Sequence, residues 1–153
     1  MEDENQLIIE LKSKIKELKQ KNNNLESSLL INNTLFDNLP SLFILLDTDG
    51  KILAINKTMA KSLGGEKENL IGKNILEYFP PKVAKYRTKM AHQVINSKKP
   101  IFFEDKRDER WFKTSIFPIL DSEGNVVQIA NVVEEITKEK TQLLESEEKF
   151  RML

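Results

Sequence analysis

A heptad repeat near the N-terminus is the feature that most limits how this chain can fold. Its a and d positions, at alternating steps of three and four residues, are Ile8, Leu11, Ile15, Leu18, Asn22, Leu25, Leu29 and Asn32. Ile at a with Leu at d favours a parallel two-stranded coiled coil, and an Asn at an a position, here Asn22, fixes the register. The repeat predicts a homodimer. The alternative is an amphipathic helix that packs on its own domain.

The amino-acid composition excludes several classes of function. The chain has 153 residues, with 24 basic and 24 acidic side chains, so its net charge is zero and neither nucleic acid nor a membrane is an expected partner. No apolar run is long enough to span a bilayer, and Met1 to Gln6 is too polar for a signal peptide, so we expect a cytoplasmic location. The absence of cysteine excludes disulfides, thiolate metal sites and a cysteinyl–flavin adduct.

The first part of the central region predicts a β-hairpin and a short helix. The apolar runs Leu42 to Leu46 and Lys51 to Ile55 flank the turn sequence Asp47-Thr48-Asp49-Gly50. Asn56 suits the N-cap of the helix that follows, and Gly64-Gly65 suits its left-handed end.

A longer helix and three strands come next. The helix is predicted between Pro80-Pro81 and Lys98-Lys99-Pro100. Its predicted buried stripe occupies an arc of about 80° and consists of Val83, Tyr86, Met90 and Val94. The predicted strands, joined by short turns and therefore antiparallel, are Ile101 to Lys106, Arg110 to Leu120 and Val126 to Glu135.

Several local sequences in this region occur in a characteristic order. They are Leu35-Phe36-Asp37-Asn38-Leu39-Pro40, Asp47-x-Asp49-Gly50, Asn56, Leu70-Ile71-Gly72-Lys73, Arg110-Trp111-Phe112, Pro118-Ile119 with Asp121-x-x-Gly124, and Glu135-Ile136-Thr137. Together they resemble a PAS domain, over about residues 35–137. The family usually has Asp-Ile-Thr at its exit, so Glu135 departs from the pattern. The resemblance implies an α+β fold with a five-stranded antiparallel sheet in the order 2-1-5-4-3 and short helices over one face.

The resemblance also implies that the domain senses a ligand, cofactor or partner and passes the change to attached helices. Haem-binding members use a histidine of the long helix. His92, the only histidine, lies about 180° from Val83 and is expected to point away from the buried stripe, so haem is disfavoured. Asp47-x-Asp49-Gly50 lacks the other ligands of an EF-hand, which favours a turn over a calcium site. His92 has no serine or carboxylate constellation, so we expect no catalytic activity.

Strand alternation divides the aromatic residues between the two faces of the sheet. Phe102, Trp111 and Phe117 fall on the outer face, where a patch of exposed aromatic side chains usually marks an interface. With Phe36, which continues the heptad seam, they are predicted dimer contacts, and the alternative is coverage within one chain. The predicted pocket residues, from the inner face and the long helix, are Tyr86, Met90, Phe103, Phe112, Thr114 and Asn131. The alternative role of the polar members is to satisfy backbone groups.

The sequence after the last strand predicts a helix that leaves the domain through Glu135, Ile136 and Thr137. Apolar residues recur every seven positions at Ile136, Leu143 and Phe150, but polar residues interrupt the seam between them. This pattern suits a helix that changes its packing, and the alternative is a simple linker.

We therefore expect three parts: an N-terminal signalling helix at 1–34, a PAS domain at 35–137 and a C-terminal signalling helix at 138–153 that leads to downstream domains in the same chain. The predicted function is a dimeric, cytoplasmic sensor module of a two-component signalling protein, such as a sensor histidine kinase. The alternative is a dimerisation scaffold that binds no ligand.

Overall fold

A computed structural model describes the whole chain, Met1–Leu153. In chain order its elements are α1 (Glu2–Asn38), β1 (Leu42–Asp47), β2 (Ile52–Ile55), α2 (Lys57–Ser62), α3 (Lys67–Leu70), a 3₁₀ turn (Ile75–Tyr78), α4 (Pro81–Ser97), β3 (Ile101–Arg107), β4 (Arg110–Leu120), β5 (Val126–Glu135) and α5 (Thr137–Arg151). The chain divides into two units, Met1–Asp37 and Asn38–Leu153.

The first unit is a single helix. None of the residues of α1 is buried, and the apolar members of the heptad seam are all exposed. Ion pairs one turn apart support the helix locally, because Glu17 contacts Lys14 at 3.0 Å and Lys21 at 2.9 Å. The helix continues to Asn38, beyond the boundary expected at residue 34. No helix of the structure is both long and apolar enough to cross a lipid bilayer.

The second unit is built on a five-stranded antiparallel sheet in the order β2-β1-β5-β4-β3. This order and the α+β fold are as the sequence predicted. The two acidic turns form because a carboxylate accepts backbone N–H groups of the turn itself. Asp47 accepts from Asp49 and Lys51, and Asp121 accepts from Glu123 and Asn125, each at 2.9 Å.

The short helix α2 has both of the ends that the sequence predicted. At its start, the Met59 N–H donates to Asn56 Oδ1 at 3.0 Å. At its end Gly64 has a φ of +77°, and the N–H groups of Gly65 and Gly64 donate to the carbonyls of Ala60 and Lys61 at 3.1 and 3.0 Å. These two bonds satisfy carbonyls that the end of a helix would otherwise leave unpaired, as in a Schellman motif.

Asn56 does more than cap a helix. Its side chain is fully buried, its Oδ1 also accepts the Phe43 N–H at 3.0 Å, and its Nδ2 donates to the Ser41 carbonyl at 2.9 Å. One amide thus joins the start of α2 to the start of β1.

The core lies between the inner face of the sheet and the helices from α2 to α4. One cluster joins β1 and β2 to α2 and includes Ile44, Ile52, Ile55 and Met59. A second cluster joins α4 to the central strands through Val94, Ile116 and Ile129.

The buried side of α4 overlaps only in part with the one that the sequence predicted. Val94 is fully buried, but Val83 and Tyr86 are 37% and 49% exposed. The side that faces the interior carries Arg87 and Ala91, whose mean direction lies about 75° around the helix from that of the predicted stripe. The prediction was wrong for Val83 and Tyr86 because it counted only apolar residues, whereas this part of α4 borders a cavity with polar groups on its wall.

Candidate ligand cavity and exit junction

The second unit contains a cavity of about 720 Å³ between the inner face of the sheet and the helices from α2 to α4. Sites for small molecules usually have volumes of about 300–1,000 Å³. Much of the wall is apolar and includes Leu46, Met59, Phe79, Phe112, Ile129 and Val133. An apolar wall with a few polar groups is typical of a pocket for a small organic molecule.

Asn131 places an amide in the middle of the apolar inner face. It lies on the central strand β5, where its direct partners are Ile44 of β1 and Ile116 of β4, both buried. Its Oδ1 atom is buried and has no hydrogen-bond partner. An unpaired buried acceptor lowers stability by about 1–3 kcal/mol, and few folded proteins retain one without a reason. Asn131 therefore offers the cavity a free acceptor.

Arg87 offers the cavity a free donor. Its Nε atom is buried without a hydrogen-bond partner, and its guanidinium lies 5.7 Å from the centre of the Phe79 ring. Burial lowers the pKa of Arg87 from its ordinary value, and the nearby charge of Arg107 lowers it further, while Asp105 acts in the opposite direction. The group stays cationic because an arginine is effectively always protonated in proteins. Its positive charge has no directly bonded acidic partner.

Two further arginines on the wall are already paired. Arg107 donates to the two carboxylate oxygens of Asp105 at 2.7 and 3.2 Å, and Arg110 lies 3.7 Å from the Glu135 carboxylate. Both guanidinium groups lie against the Phe112 ring, at 4.8 and 5.3 Å from its centre. These contacts neutralise and position Arg107 and Arg110, which leaves Arg87 as the uncompensated cation.

The predicted pocket residues divide into two groups. Phe112 and Asn131 lie on the cavity wall. Thr114 is fully buried, and its hydroxyl lies 3.5 Å from Arg107 Nη2, so it contacts a wall residue rather than the cavity itself.

The other three predicted pocket residues lie beside the cavity, not on its wall. Tyr86 packs edge-to-face on Phe103 with 6.3 Å between the ring centres. Met90 and Phe103 pack against the second core cluster. The displacement of Tyr86 and Met90 has the same cause as that of the predicted stripe, since the side of α4 that carries them is turned away from the cavity.

Sequence reasoning missed Arg87. His92 is exposed and lies outside the predicted buried stripe, although it also borders the cavity. Small residues at Ala84 and Ala91, seven positions apart on one side of α4, were the available signal for the interior side. The structure has no group of His, Cys, Asp and Glu side chains that could hold a metal ion.

The predicted exit residues form a junction between β4, β5 and α5. The Trp111 N–H donates to Thr137 Oγ1 at 2.9 Å, and the Ile136 N–H donates to the Trp111 carbonyl at 2.8 Å. The Thr137 hydroxyl donates to Glu135 Oε1 at 3.0 Å. Glu135 also lines the cavity, so one side chain touches both the cavity and the start of α5.

The outer face of the sheet is partly covered by α5. Lys140 lies 5.5 Å from the centre of the Trp111 ring and forms an ion pair with Glu104. Trp111 is therefore half-buried by its own chain. Coverage of the outer face within one chain was the alternative to a dimer contact at this residue. Phe102 and Phe117 are 57% and 38% exposed and pack edge-to-face with their ring centres 5.7 Å apart.

We expect Thr137→Val to loosen the first turn of α5 without unfolding the domain. Valine keeps the shape of threonine but removes the hydroxyl that bonds Trp111 and Glu135, a loss of about 1–2 kcal/mol of local stability. Amide hydrogen exchange of Lys140, whose N–H bonds the Ile136 carbonyl at 3.0 Å, should become about tenfold faster.

Thr141→Val is the matched control for this change. The Thr141 hydroxyl donates only to the Thr137 carbonyl, at 2.8 Å within the same helix. Equal exchange rates in the two variants would mean that the junction does not hold the start of α5.

Comparison with known proteins agrees with this architecture. Residues 36–141 match a protein family described as the PAS fold. The match covers more than half of the chain, and the chain therefore belongs to the PAS family. No curated protein matches the sequence.

Solved structures share the fold at low sequence identity. The PAS domain of BvgS from Bordetella pertussis is 21% identical, with a TM-score of 0.60 over 83% of this chain and 99% of that one. A sensory box sensor histidine kinase from Vibrio cholerae is 21% identical, with a TM-score of 0.59 over 76% and 98%. A domain of an HTR-like protein from Haloarcula marismortui is 24% identical, with a TM-score of 0.55 over 65% and 100%.

Proposed function

We propose that this chain is a dimeric, cytoplasmic sensor module of a signal-transduction protein, in which a small molecule in the cavity changes how α5 leaves the domain. The observation that carries the proposal is the pair of buried, unpaired polar atoms on the cavity wall, Arg87 Nε and Asn131 Oδ1. A domain that only supported its neighbours would gain stability by replacing both, since each is costly to bury unpaired.

The route from the cavity to α5 is short. Phe112 lies on the cavity wall. The backbone of the preceding residue, Trp111, bonds the start of α5 twice, by donating to the Thr137 hydroxyl and by accepting from the Ile136 N–H. Successive residues of a strand point to opposite faces, so a shift of β4 caused by a ligand on one face moves the junction on the other. Small shifts of this kind are amplified where helices have alternative packings.

The exposed apolar residues of both terminal helices support an assembly larger than one chain. The heptad seam of α1 has no buried residue, and Leu143 and Phe150 of α5 are also exposed. In this proposal α1 pairs with α1 of a second copy, and α5 delivers the change to an effector domain such as a histidine kinase. The likeness to PAS domains of such kinases supports this assignment.

The second candidate function is a ligand-free scaffold that sets the register between neighbouring domains. It is favoured by the exposed Phe102–Phe117 pair and by the seam, which give the chain two apolar surfaces for association regardless of the cavity. The two candidates differ in whether the cavity is occupied in the working protein.

Native mass spectrometry of the purified protein separates them. We expect a dimer at twice 17.7 kDa that carries a small molecule, which is released and identified under denaturing conditions. Asn131→Leu, purified in parallel, should lose that molecule, whereas a molecule retained by both proteins is a contaminant. A dimer with nothing bound would favour the scaffold, and a monomer would contradict the assembly.

A further inference from the structure

We propose that the ligand of this cavity is a small organic carboxylate that also carries a hydroxyl or amino group, with the carboxylate at Arg87 and the hydrogen-bond donor at Asn131. This inference rests on the proposed sensor function and adds the chemical class of the ligand. The inference is based on the hydrogen-bond partner that the Arg87 and Asn131 side chains each lack.

Arg87 lacks an acceptor with negative charge. Its Nε is buried without a partner, and neither of the two acidic residues that hold the neighbouring arginines bonds it, because Asp105 is engaged by Arg107 and Glu135 by Arg110. A guanidinium presents parallel N–H groups that match the two oxygens of a carboxylate. A ligand carboxylate would supply both the missing acceptor and the missing charge.

The rest of the wall favours a single negative charge over a doubly charged phosphate. Besides Glu135, the carboxylates on the wall are Asp47, Asp49 and Asp108, while Arg87, Arg107, Arg110 and the exposed His92 are its basic groups. The carboxylates outside the arginine pairs would repel a second negative charge. The ligand is therefore expected to carry a single negatively charged group.

Asn131 lacks a donor. Its free atom is the amide oxygen, which accepts hydrogen bonds and donates none. A second carboxylate at this position would bring two acceptors together, whereas an O–H or N–H group would satisfy the oxygen. Much of the rest of the wall is apolar and includes Leu46, Phe79, Phe112 and Ile129, so the body of the ligand is expected to be apolar.

The test uses matched probes that differ in one group at a time. The probes are 2-hydroxyhexanoate, its neutral amide 2-hydroxyhexanamide and the deoxy analogue hexanoate, with 4-hydroxyphenylacetate, 4-hydroxyphenylacetamide and phenylacetate as an aromatic set. Binding is measured by isothermal titration calorimetry on the full chain. We expect at least one hydroxy acid to bind about tenfold more tightly than both its amide and its deoxy analogue, as the loss of one buried polar contact predicts.

Two variants assign the contacts. Arg87→Met should remove the preference for acid over amide, and Asn131→Leu should remove the preference for hydroxy acid over deoxy acid. Lys85→Met is the control, because Lys85 is exposed on the same helix and lies away from the cavity wall. Thermal unfolding of each variant verifies that it is folded, and we expect neither cavity variant to melt below the parent protein, since each removes an unpaired buried atom.

The outcomes separate this inference from the function on which it rests. If the amides bind as tightly as the acids, or if no acid of either set binds, the proposed ligand class is overturned. A different small molecule identified on the purified protein would still leave the sensor function in place. A cavity that is empty in the purified dimer would instead count against the sensor function itself.

Discussion

Replacing Asn56 with alanine is expected to lower the free energy of unfolding by about 3–5 kcal/mol, a large part of the total stability of an ordinary domain. The change removes the cap of α2, worth about 1 kcal/mol. It also leaves the Phe43 N–H and the Ser41 carbonyl without their side-chain partner, at about 1–3 kcal/mol for each group that stays buried. Urea unfolding followed by circular dichroism measures the loss.

Asn74→Ala is the matched control for Asn56. Asn74 also caps a helical turn, by accepting the Leu76 N–H at 3.0 Å, and it also donates to a backbone carbonyl, that of Asp49 at 3.0 Å. Asn74 is only partly buried, whereas Asn56 is fully buried, and the bond from Asn74 to the Asp49 carbonyl is exposed. Because water can replace part of the hydrogen bonding of Asn74, we expect a loss of only about 1 kcal/mol. Similar losses for the two variants would mean that Asn56 acts only as a cap.

Replacing both Ile15 and Leu18 with lysine is expected to convert the proposed dimer into a monomer. The two positions are consecutive a and d positions of the seam, both exposed in the single chain, and the substitution would place four like charges in one interface. Losing four buried apolar side chains, each worth about 1.5–3 kcal/mol, should raise the dissociation constant at least about 100-fold. Sedimentation equilibrium over a range of concentrations measures it.

The control for the seam is the double substitution of Ile9 and Leu30 with lysine. These residues are equally apolar and exposed, but both occupy b positions, outside the seam. The control should keep the dissociation constant of the parent within a few fold. If both double substitutions dissociate the dimer equally, the dimer depends on exposed apolar surface in general and not on the a and d positions. A parent protein that is already monomeric would refute the coiled-coil dimer.

Local sequence rules predicted the strands and turns well because those rules act through the backbone. The acidic turns at Asp47 and Asp121 and the paired glycines after α2 each satisfy backbone groups within a few residues. Such signals are contained in the local sequence. The sheet order did not follow from them, and came from the resemblance of the whole pattern to a known family.

The candidate site was predicted less well because its chemistry departs from an ordinary core. Periodicity assigns the apolar side of a helix to the interior, but the interior side of α4 carries Arg87, and the apolar Val83 and Tyr86 are partly exposed. Asn131 was found, since strand alternation does not depend on residue type. Only the packing of β1 and β4 on either side of Asn131 shows that its amide oxygen lacks a hydrogen-bond partner.

The unpaired atoms of Arg87 and Asn131 have a consequence for laboratory evolution. Proteins selected for heat resistance alone accumulate substitutions at positions where function opposes stability. In this chain such a selection should favour apolar residues at positions 87 and 131, with loss of ligand affinity. In a library screened only for survival at high temperature, substitutions should therefore concentrate at these two positions. Their location would identify the binding site before any ligand is known.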